Sequence, residues 1–145
     1  MDAKGKNTGI KLEYEIIKDD FSRAGEASSN IKRVLRQLGI DSSVIRKTAI
    51  ATYEAEINVV IHSEGGKIIV NIEPDKIEIT AQDNGPGIKD IDQAMQKGFS
   101  TASQKVRELG FGAGMGLPNM KRSCDEFYID SEFGKGTTVK MIFKL

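Results

Sequence analysis

QDNGPGIKDI, residues Gln82 to Ile91, is the stretch on which the interpretation of this chain depends. It follows DKIEITA, in which apolar residues alternate as they do in a half-buried strand. The predicted strand ends on an acid, Asp83, and two glycines spaced one residue apart come directly afterwards. An Asn-Gly step followed by Pro is a strong turn signal, so a plain hairpin is one interpretation. The other is a strand that delivers a functional carboxylate to its end.

The composition excludes several classes of function. A chain of 145 residues suits one domain with a core, and its 21 Lys and Arg balance its 21 Asp and Glu. The chain therefore has no net positive charge that would attract nucleic acid or an anionic membrane. The N-terminus is too polar for a secretory signal and no apolar run could cross a bilayer, so we expect a cytoplasmic protein. Cys124 and His62 are single residues of their kinds, which predicts neither a disulfide nor a structural zinc site.

The first half of the chain predicts a strand and two helices. Alternating residues predict a strand over Ile10 to Ile17, at a sheet edge because charge flanks it. The next segment has apolar residues at helical spacing, with Asp20 or Ser22 as the expected cap and Gly39 as its end. A second helix is expected to begin near Asp41 or Ser42 and to stop near HSEGG.

A polar stripe interrupts the second predicted helix. Glu54, Asn58 and His62 are four residues apart and project from one side of the helix. A solvated helix face would explain the stripe. The functional interpretation is a carboxylate able to act as a base beside an amide oxygen able to ligate a hard cation such as magnesium. We expect His62 to be a structural residue at the helix end.

In the second half of the chain, after Gly65-Gly66, the spacing of apolar residues changes from helical to alternating. It predicts two strands joined by a tight turn at Pro74-Asp75, then a helix at DIDQAMQKG. The segment from Gly98 to Gly116 has no period, which is typical of a binding loop, a lid or disorder. It ends in a run of alternate glycines that enters another predicted helix, GMGLPNMKRSCDEF, and helix N-termini favour phosphate. A flexible linker would not explain that helix.

Three familiar phosphate-binding loops do not fit the glycine run. A Walker loop needs a correctly placed first glycine before Lys and Ser or Thr, which neither this run nor EFGKGTT supplies. A dinucleotide fingerprint would need glycine where the chain has Met115, and the run follows a polar loop instead of a strand. A kinase-type glycine loop would need later H-R-D and D-F-G segments, which the sequence lacks.

Four segments together resemble the GHKL, or Bergerat-fold, ATPases, which include gyrase, Hsp90, histidine-kinase catalytic domains and MutL. EAEIN (54–58), DNGPG (83–87), GFGAGMGLP (110–118) and GKGTT (134–138) occur in the order of that family's N, G1, G2 and G3 boxes. The chain is most similar to the bacterial anti-sigma serine/threonine switch kinases of stressosome-type partner switching. The resemblance implies one ATP-binding domain over 10–145 after a flexible tail, 1–9. Its expected fold is a two-layer α/β sandwich, with a mixed sheet, helices on one face and a flexible lid.

The resemblance also implies roles for the residues of the first and last glycine boxes. Asp83 would accept a hydrogen bond from the exocyclic amine of adenine, which guanine lacks at that position. Gly85 and Gly87 would let the backbone pass beside the base. Thr137 or Thr138 would reach the adenine edge, directly or through water.

The remaining boxes would hold the phosphates. Asn58 would bind Mg²⁺, and Glu54 would orient or deprotonate the attacking group. The expected lid comprises Gly110, Gly112, Gly114 and Gly116, with Leu117 beside it. The candidates for charge contacts with the phosphates are Lys97, Lys105, Arg107 and Lys121.

The activity implied by the resemblance is transfer of the ATP γ-phosphoryl to a serine or threonine of a STAS-domain anti-sigma antagonist. The same chain would regulate a sigma factor or a phosphatase by binding, and a homodimer is expected. One alternative is a nucleotide-gated binding switch without significant kinase activity. A second is a histidine-kinase catalytic domain, which would need a two-helix dimerisation segment before the first strand, where we count about nine residues.

Overall fold

The computed structural model describes residues 9–85, 95, 116–132 and 134–145. A single-turn 3-10 helix, Phe21–Arg23, precedes the first α-helix. The helices are α1 (Glu26–Gln37), α2 (Ser42–His62) and α3 (Gly116–Ser123). The strands are β1 (Ile10–Ile16), β2 (Gly66–Ile72), β3 (Lys76–Asp83), β4 (Glu126–Glu132) and β5 (Gly136–Lys144).

The described strands form one five-stranded sheet in the order β1-β2-β3-β5-β4. All four pairings are antiparallel. The expected mixed sheet is therefore wrong for these strands. Two consecutive helices separate β1 from β2, and an even number of helices lets the chain re-enter the sheet in the opposite direction. Short turns reverse the chain between β2 and β3 and between β4 and β5.

The helices pack on one face of this sheet, as predicted. Ile68 and Val70 of β2, Ile79 of β3 and Met141 of β5 alternate along their strands and are fully buried beneath the helices. The helices contribute Ile31, Leu35, Ala51, Val59, Val60 and Met120 to the same core. Burying each such aliphatic side chain is worth about 1.5 to 3 kcal/mol, so this single interface dominates the stability of the two-layer sandwich.

Helix α2 is the central helix of the layer. It packs against α1 on one side and α3 on the other, and it also contacts β1, β3 and β5. Its bounds match the prediction, because it begins after Asp41 and ends at His62. No helix in the described ranges is long and apolar enough to cross a bilayer.

The predicted cap of α1 is wrong, and a residue from another helix takes its place. The N-cap position is Gly25, which makes no side-chain bond, and the Ser22 hydroxyl donates to Asp20 instead. Glu56 of α2 accepts the backbone N–H groups of Ala27 and Ser28, each at 3.2 Å. These donors are among the amides that a helix leaves without partners at its N-terminus. A carboxylate from α2 therefore caps α1.

Glu56 is only 2% exposed, which is unusual for an acid. Burial raises its pKa above the ordinary value of 4.5, and the backbone donors of Ala27, Ser28 and Gly25 lower it by less. The folded protein therefore holds this proton to a higher pH than the unfolded chain does. The contribution of Glu56 to stability is fully present below pH 4.5 and is lost as the pH rises through the raised pKa.

We predict that Glu56→Gln stays within about 1 kcal/mol of the natural protein at pH 7, because an amide oxygen still accepts from the α1 amides. Glu56→Ala leaves those donors unsatisfied and should lose about 1 to 3 kcal/mol. Urea unfolding at pH 4 to 8 measures the free energy of unfolding of both variants and of the natural protein. The stability of the natural protein relative to Glu56→Gln should fall as the pH rises, and a relative stability that increases with pH would contradict the assignment.

Candidate functional site

Asp83 ends β3 and is held by backbone donors from two segments. Its Oδ1 atom accepts the N–H of Gly85 at 2.9 Å and the N–H of Thr137 at 3.1 Å. The first bond turns the chain sharply after β3. The second ties β3 to the start of β5. One carboxylate oxygen is thus used by the fold, and within the described ranges Oδ2 makes no hydrogen bond.

The strands on either side of Asp83 approach it through glycines. A Cβ on Gly66 of β2 would lie 2.1 Å from the Gln82 carbonyl oxygen, and one on Gly136 of β5 would lie 2.3 Å from the Asp83 carbonyl oxygen. Gly136 also has φ +124°, a conformation that L side chains rarely adopt. Only glycine fits at either position. The Gly134-Gly136 segment stands out in the sequence, whereas Gly66 does not, because its place opposite Asp83 depends on strand register.

Burial raises the pKa of Asp83 above its ordinary value of 3.8, and the Gly85 and Thr137 amides lower it by less. The side chain is partly withdrawn from water at the edge of the helix layer. A partly dehydrated carboxylate oxygen gains more from a ligand N–H than a fully hydrated one does. This position therefore suits a ligand that presents a hydrogen-bond donor to Oδ2.

Thr137 and Thr138 lie on opposite faces of the sheet. Thr137 is buried on the helix-facing side, the side of Asp83, and its hydroxyl shares a hydrogen bond of 2.8 Å with Ser131. Thr138 pairs with Gln82 and points to the other face, because successive strand residues alternate. Of the two candidates, the geometry brings only Thr137 to Asp83.

A second group of candidate residues lies where α2 packs on α3. Glu54 and Asn58 are half-buried on the same side of α2, as their spacing predicted. Glu54 Oε2 accepts a hydrogen bond of 3.0 Å from Asn119 Nδ2 of α3. Gly116 begins α3 beside Asn58, where an added Cβ would lie 3.1 Å from Asn58 Oδ1. A larger residue at 116 would fill the space in front of this amide oxygen.

Asn119 was not a candidate in the sequence analysis. It follows Gly116 by three residues and so recurs on the same side of α3. The Arg122 guanidinium, three residues further on, donates to Asn119 Oδ1. The sequence offered only this spacing as a signal, since the contact with Glu54 joins residues 65 positions apart.

Several predicted residues lie outside the described ranges. They include the predicted helix DIDQAMQKG, apart from Met95, and the His62 side chain. The individual candidates in this group are Gly87, Lys97, Lys105, Arg107, Gly110, Gly112 and Gly114. Two further candidates lie within the described ranges. Leu117 is 8% exposed and belongs to the core, and Lys121 lies on the exposed surface of α3.

Residues 50–145 match the family described as histidine kinase-, DNA gyrase B-, and HSP90-like ATPase. The chain belongs to this ATPase family. The matched region contains every site residue described above, from Glu54 on α2 to Thr138 on β5. Membership confirms the resemblance drawn from the four sequence boxes.

Two curated relatives are similar along most of the chain. The serine/threonine-protein kinase RsbT of Bacillus subtilis (strain 168) is 33% identical over 115 residues, covering 77% of this chain and 80% of the relative. The anti-sigma F factor of Thermoanaerobacter sp. (strain X514) is 41% identical over 100 residues, covering 66% of this chain and 65% of the relative. This ATPase family member therefore resembles proteins named for phosphorylation and proteins named for sigma-factor control.

Two solved structures share the fold of this ATPase family member. The RsbU and RsbW domains of Rv1364c from Mycobacterium tuberculosis superpose with a TM-score of 0.63 at 16% identity, covering 94% of this chain and 32% of that one. The mycobacterial sensor histidine kinase MprB gives a TM-score of 0.52 at 17% identity, covering 92% and 97%. At these identities the comparison shows the fold alone. It confirms the predicted two-layer architecture.

We predict that Gly136→Ala destabilises the protein by about 3 kcal/mol, because its methyl group meets the Asp83 backbone. Gly134→Ala is the matched control. Gly134 also has positive φ, +91°, but has open space around it, so its variant should lose only about 1 to 2 kcal/mol. Urea unfolding compares the two. Equal losses would mean that backbone conformation, and not the close approach to Asp83, makes glycine necessary.

Proposed function

We propose that this chain is an ATP-dependent serine/threonine protein kinase of a partner-switching system. Its acceptor would be a serine or threonine of a STAS-domain anti-sigma antagonist. The observation that carries the proposal is the pairing of Glu54 with Asn58 at the α2–α3 contact, in a chain 33% identical to a named serine/threonine kinase. A hydroxyl acceptor needs a base, and a nucleoside triphosphate needs a cation. Glu54 offers the base, and Asn58 offers a ligand for the cation.

Asp83 is proposed to read adenine. Oδ1 is occupied by two backbone donors, which leaves Oδ2 to accept the exocyclic amine of the base. Guanine carries an oxygen at that position, and two acceptors facing each other repel. The Thr137 amide holds the carboxylate in place, so base recognition depends on β5 as well as β3. We therefore expect this arrangement to bind ATP more tightly than GTP.

Magnesium fits the residues at the α2–α3 contact. Asn58 offers a neutral amide oxygen, and the absence of a side chain at Gly116 leaves room in front of it. Mg²⁺ binds one or two protein oxygens and completes its shell with phosphates and water, so one amide ligand is sufficient. When bound, the cation would neutralise phosphate charge. Asn58 would hold it, and α3 would begin beside it.

Glu54 is proposed as the base for phosphoryl transfer. As the acceptor hydroxyl oxygen bonds to the γ-phosphorus, its proton passes to the Glu54 carboxylate and the bond to the β–γ bridging oxygen breaks to release ADP. The carboxylate lies one turn from Asn58, so the base and the cation ligand share a rigid helix. A site on a helix holds these positions more accurately than one on a loop.

The kinase proposal extends to the binding partners and to the location of the protein in the cell. We propose a STAS-domain antagonist as the acceptor and a sigma factor or a phosphatase as a second binding partner. The relative named serine/threonine-protein kinase supports a protein acceptor, and the relative named anti-sigma F factor supports the sigma factor. We also propose a cytoplasmic location and a homodimer. A nucleotide-gated binding switch without kinase turnover is the second candidate function, favoured by the relatives named anti-sigma F factor.

We predict that Asp83→Asn lowers ATP affinity about 10- to 100-fold. Asparagine keeps an Oδ1 acceptor for Gly85 and Thr137, but its NH₂ group faces the adenine amine donor. Stability should therefore change much less than binding. Titration calorimetry with Mg-ATP and Mg-GTP, alongside urea unfolding, tests this. Unchanged ATP affinity would remove Asp83 from the base site.

We predict that Glu54→Gln lowers phosphoryl transfer to a STAS-domain acceptor about 10²- to 10⁴-fold, because the base is lost while the shape is kept. Mg-ATP affinity should stay within about twofold. Glu56→Gln is the matched control on the same helix and should retain transfer. Radiolabelled ATP measures turnover, and partner capture is measured separately. Capture without transfer in the natural protein would instead support the binding switch.

A further inference from the structure

Asn119 is the side chain that forms a hydrogen bond with the proposed base in the described part of the chain. Its Nδ2 group donates to Glu54 Oε2 at 3.0 Å, and both side chains are half-buried between α2 and α3. The contact spans 65 positions of sequence, so the packing of the two helices creates it. The bond leaves Glu54 Oε1 without a hydrogen-bond partner among the described residues.

Arg122 determines which way the Asn119 amide points. The guanidinium only donates hydrogen bonds, and the Glu54 carboxylate only accepts them. An amide between these two groups can satisfy both in one orientation, with Oδ1 toward Arg122 and NH₂ toward Glu54. The flipped amide would place oxygen against oxygen and donor against donor. The chemistry of the neighbours therefore fixes the donor direction.

We infer that Asn119 is a positioning residue that holds Glu54 Oε2 so that Oε1 faces the acceptor hydroxyl. This inference rests on the proposed kinase function. The terminal torsion of a glutamate is broad, so a free carboxylate samples many directions. Anchoring one oxygen restricts that torsion while the other oxygen remains available to take a proton. The orientation of reacting groups accounts for a large share of enzymatic rate.

The register of α2 and α3 gives this role a second basis. Glu54 and Asn58 lie one turn apart on α2, and their neighbours Asn119 and Gly116 lie one turn apart on α3. The two helices therefore meet at the proposed base and at the proposed cation ligand simultaneously. Movement of α3 along α2 would disturb both. Asn119 fixes the position of the Glu54 carboxylate relative to Asn58, and Arg122 holds the Asn119 amide in place.

The test compares Asn119→Leu, which keeps the approximate size and loses the donor, with Asn119→Asp, which keeps the shape and replaces the donor by an acceptor. The expected result is a kcat for phosphoryl transfer about 10- to 100-fold lower in both. Mg-ATP affinity should stay within about twofold in Asn119→Leu, which introduces no charge. A structural residue would lower stability in these variants without this separation of kcat from nucleotide binding. An unchanged kcat in the folded variants would overturn the inference.

Arg122→Met provides a variant on the exposed surface of α3, where loss of folding is not expected. It removes the group that orients the amide and leaves the Asn119 donor in place. Its kcat should fall several-fold, less than that of Asn119→Leu. A larger fall than that of Asn119→Leu would contradict the proposed order, in which Arg122 acts through Asn119.

A thermodynamic cycle separates failure of this inference from failure of the kinase proposal. Asn119→Asp combined with Glu54→Gln exchanges donor and acceptor and should restore the contact, so the double variant should unfold at a higher urea midpoint than the single variants predict. If the natural protein transfers no phosphoryl group to a STAS-domain acceptor, the kinase proposal fails, and this cycle alone decides the contact. Additive midpoints would contradict the contact on which the inference depends, and a restored midpoint would support that contact.

Discussion

The structure depends on the way α2 divides its side chains among three neighbours, which are α1, α3 and the sheet. Residues 54 and 56 are two positions apart, and helical geometry rotates successive side chains by about 100°, so the two carboxylates point to opposite sides. Glu56 reaches α1 and caps it, whereas Glu54 reaches α3 and meets Asn119. The apolar residues between them bury the helix on the sheet. One helix thus joins the core, the fold of α1 and the proposed chemistry.

The two halves of the proposed nucleotide site come from distant parts of the chain, and different forces assemble them. The base-recognition half depends on backbone geometry, because Gly66 and Gly136 let three strands meet at Asp83. The phosphate half depends on side-chain packing between α2 and α3. Each half is held by backbone or side-chain bonds of its own. The sheet and α2 are rigid elements, and they set the distance between the halves.

Sequence patterns predicted the features that arise from local periodicity. The strand at Ile10, the long α2 and the shared face of Glu54 and Asn58 follow from periods of 2 and 3.6 residues, and the turn at Pro74 follows from its turn-forming residues. The patterns did not predict contacts between residues that are far apart in the sequence. Neither the capping role of Glu56 nor the contact of Asn119 has a local signature. The expectation of a mixed sheet failed because strand direction depends on how many helices separate the strands.

The cap on α1 has a consequence for folding. Short helices are marginal alone, because their first turn fixes several residues for one hydrogen bond. Helix α1 has 12 residues, and its N-terminal amides obtain acceptors only when α2 is docked beside them. The two helices therefore form one cooperative unit, in which α1 has its full stability only with α2 docked beside it. Opening of α2 exposes the first α1 amides in the same event, so the amides of both helices share a common free energy of opening in hydrogen exchange.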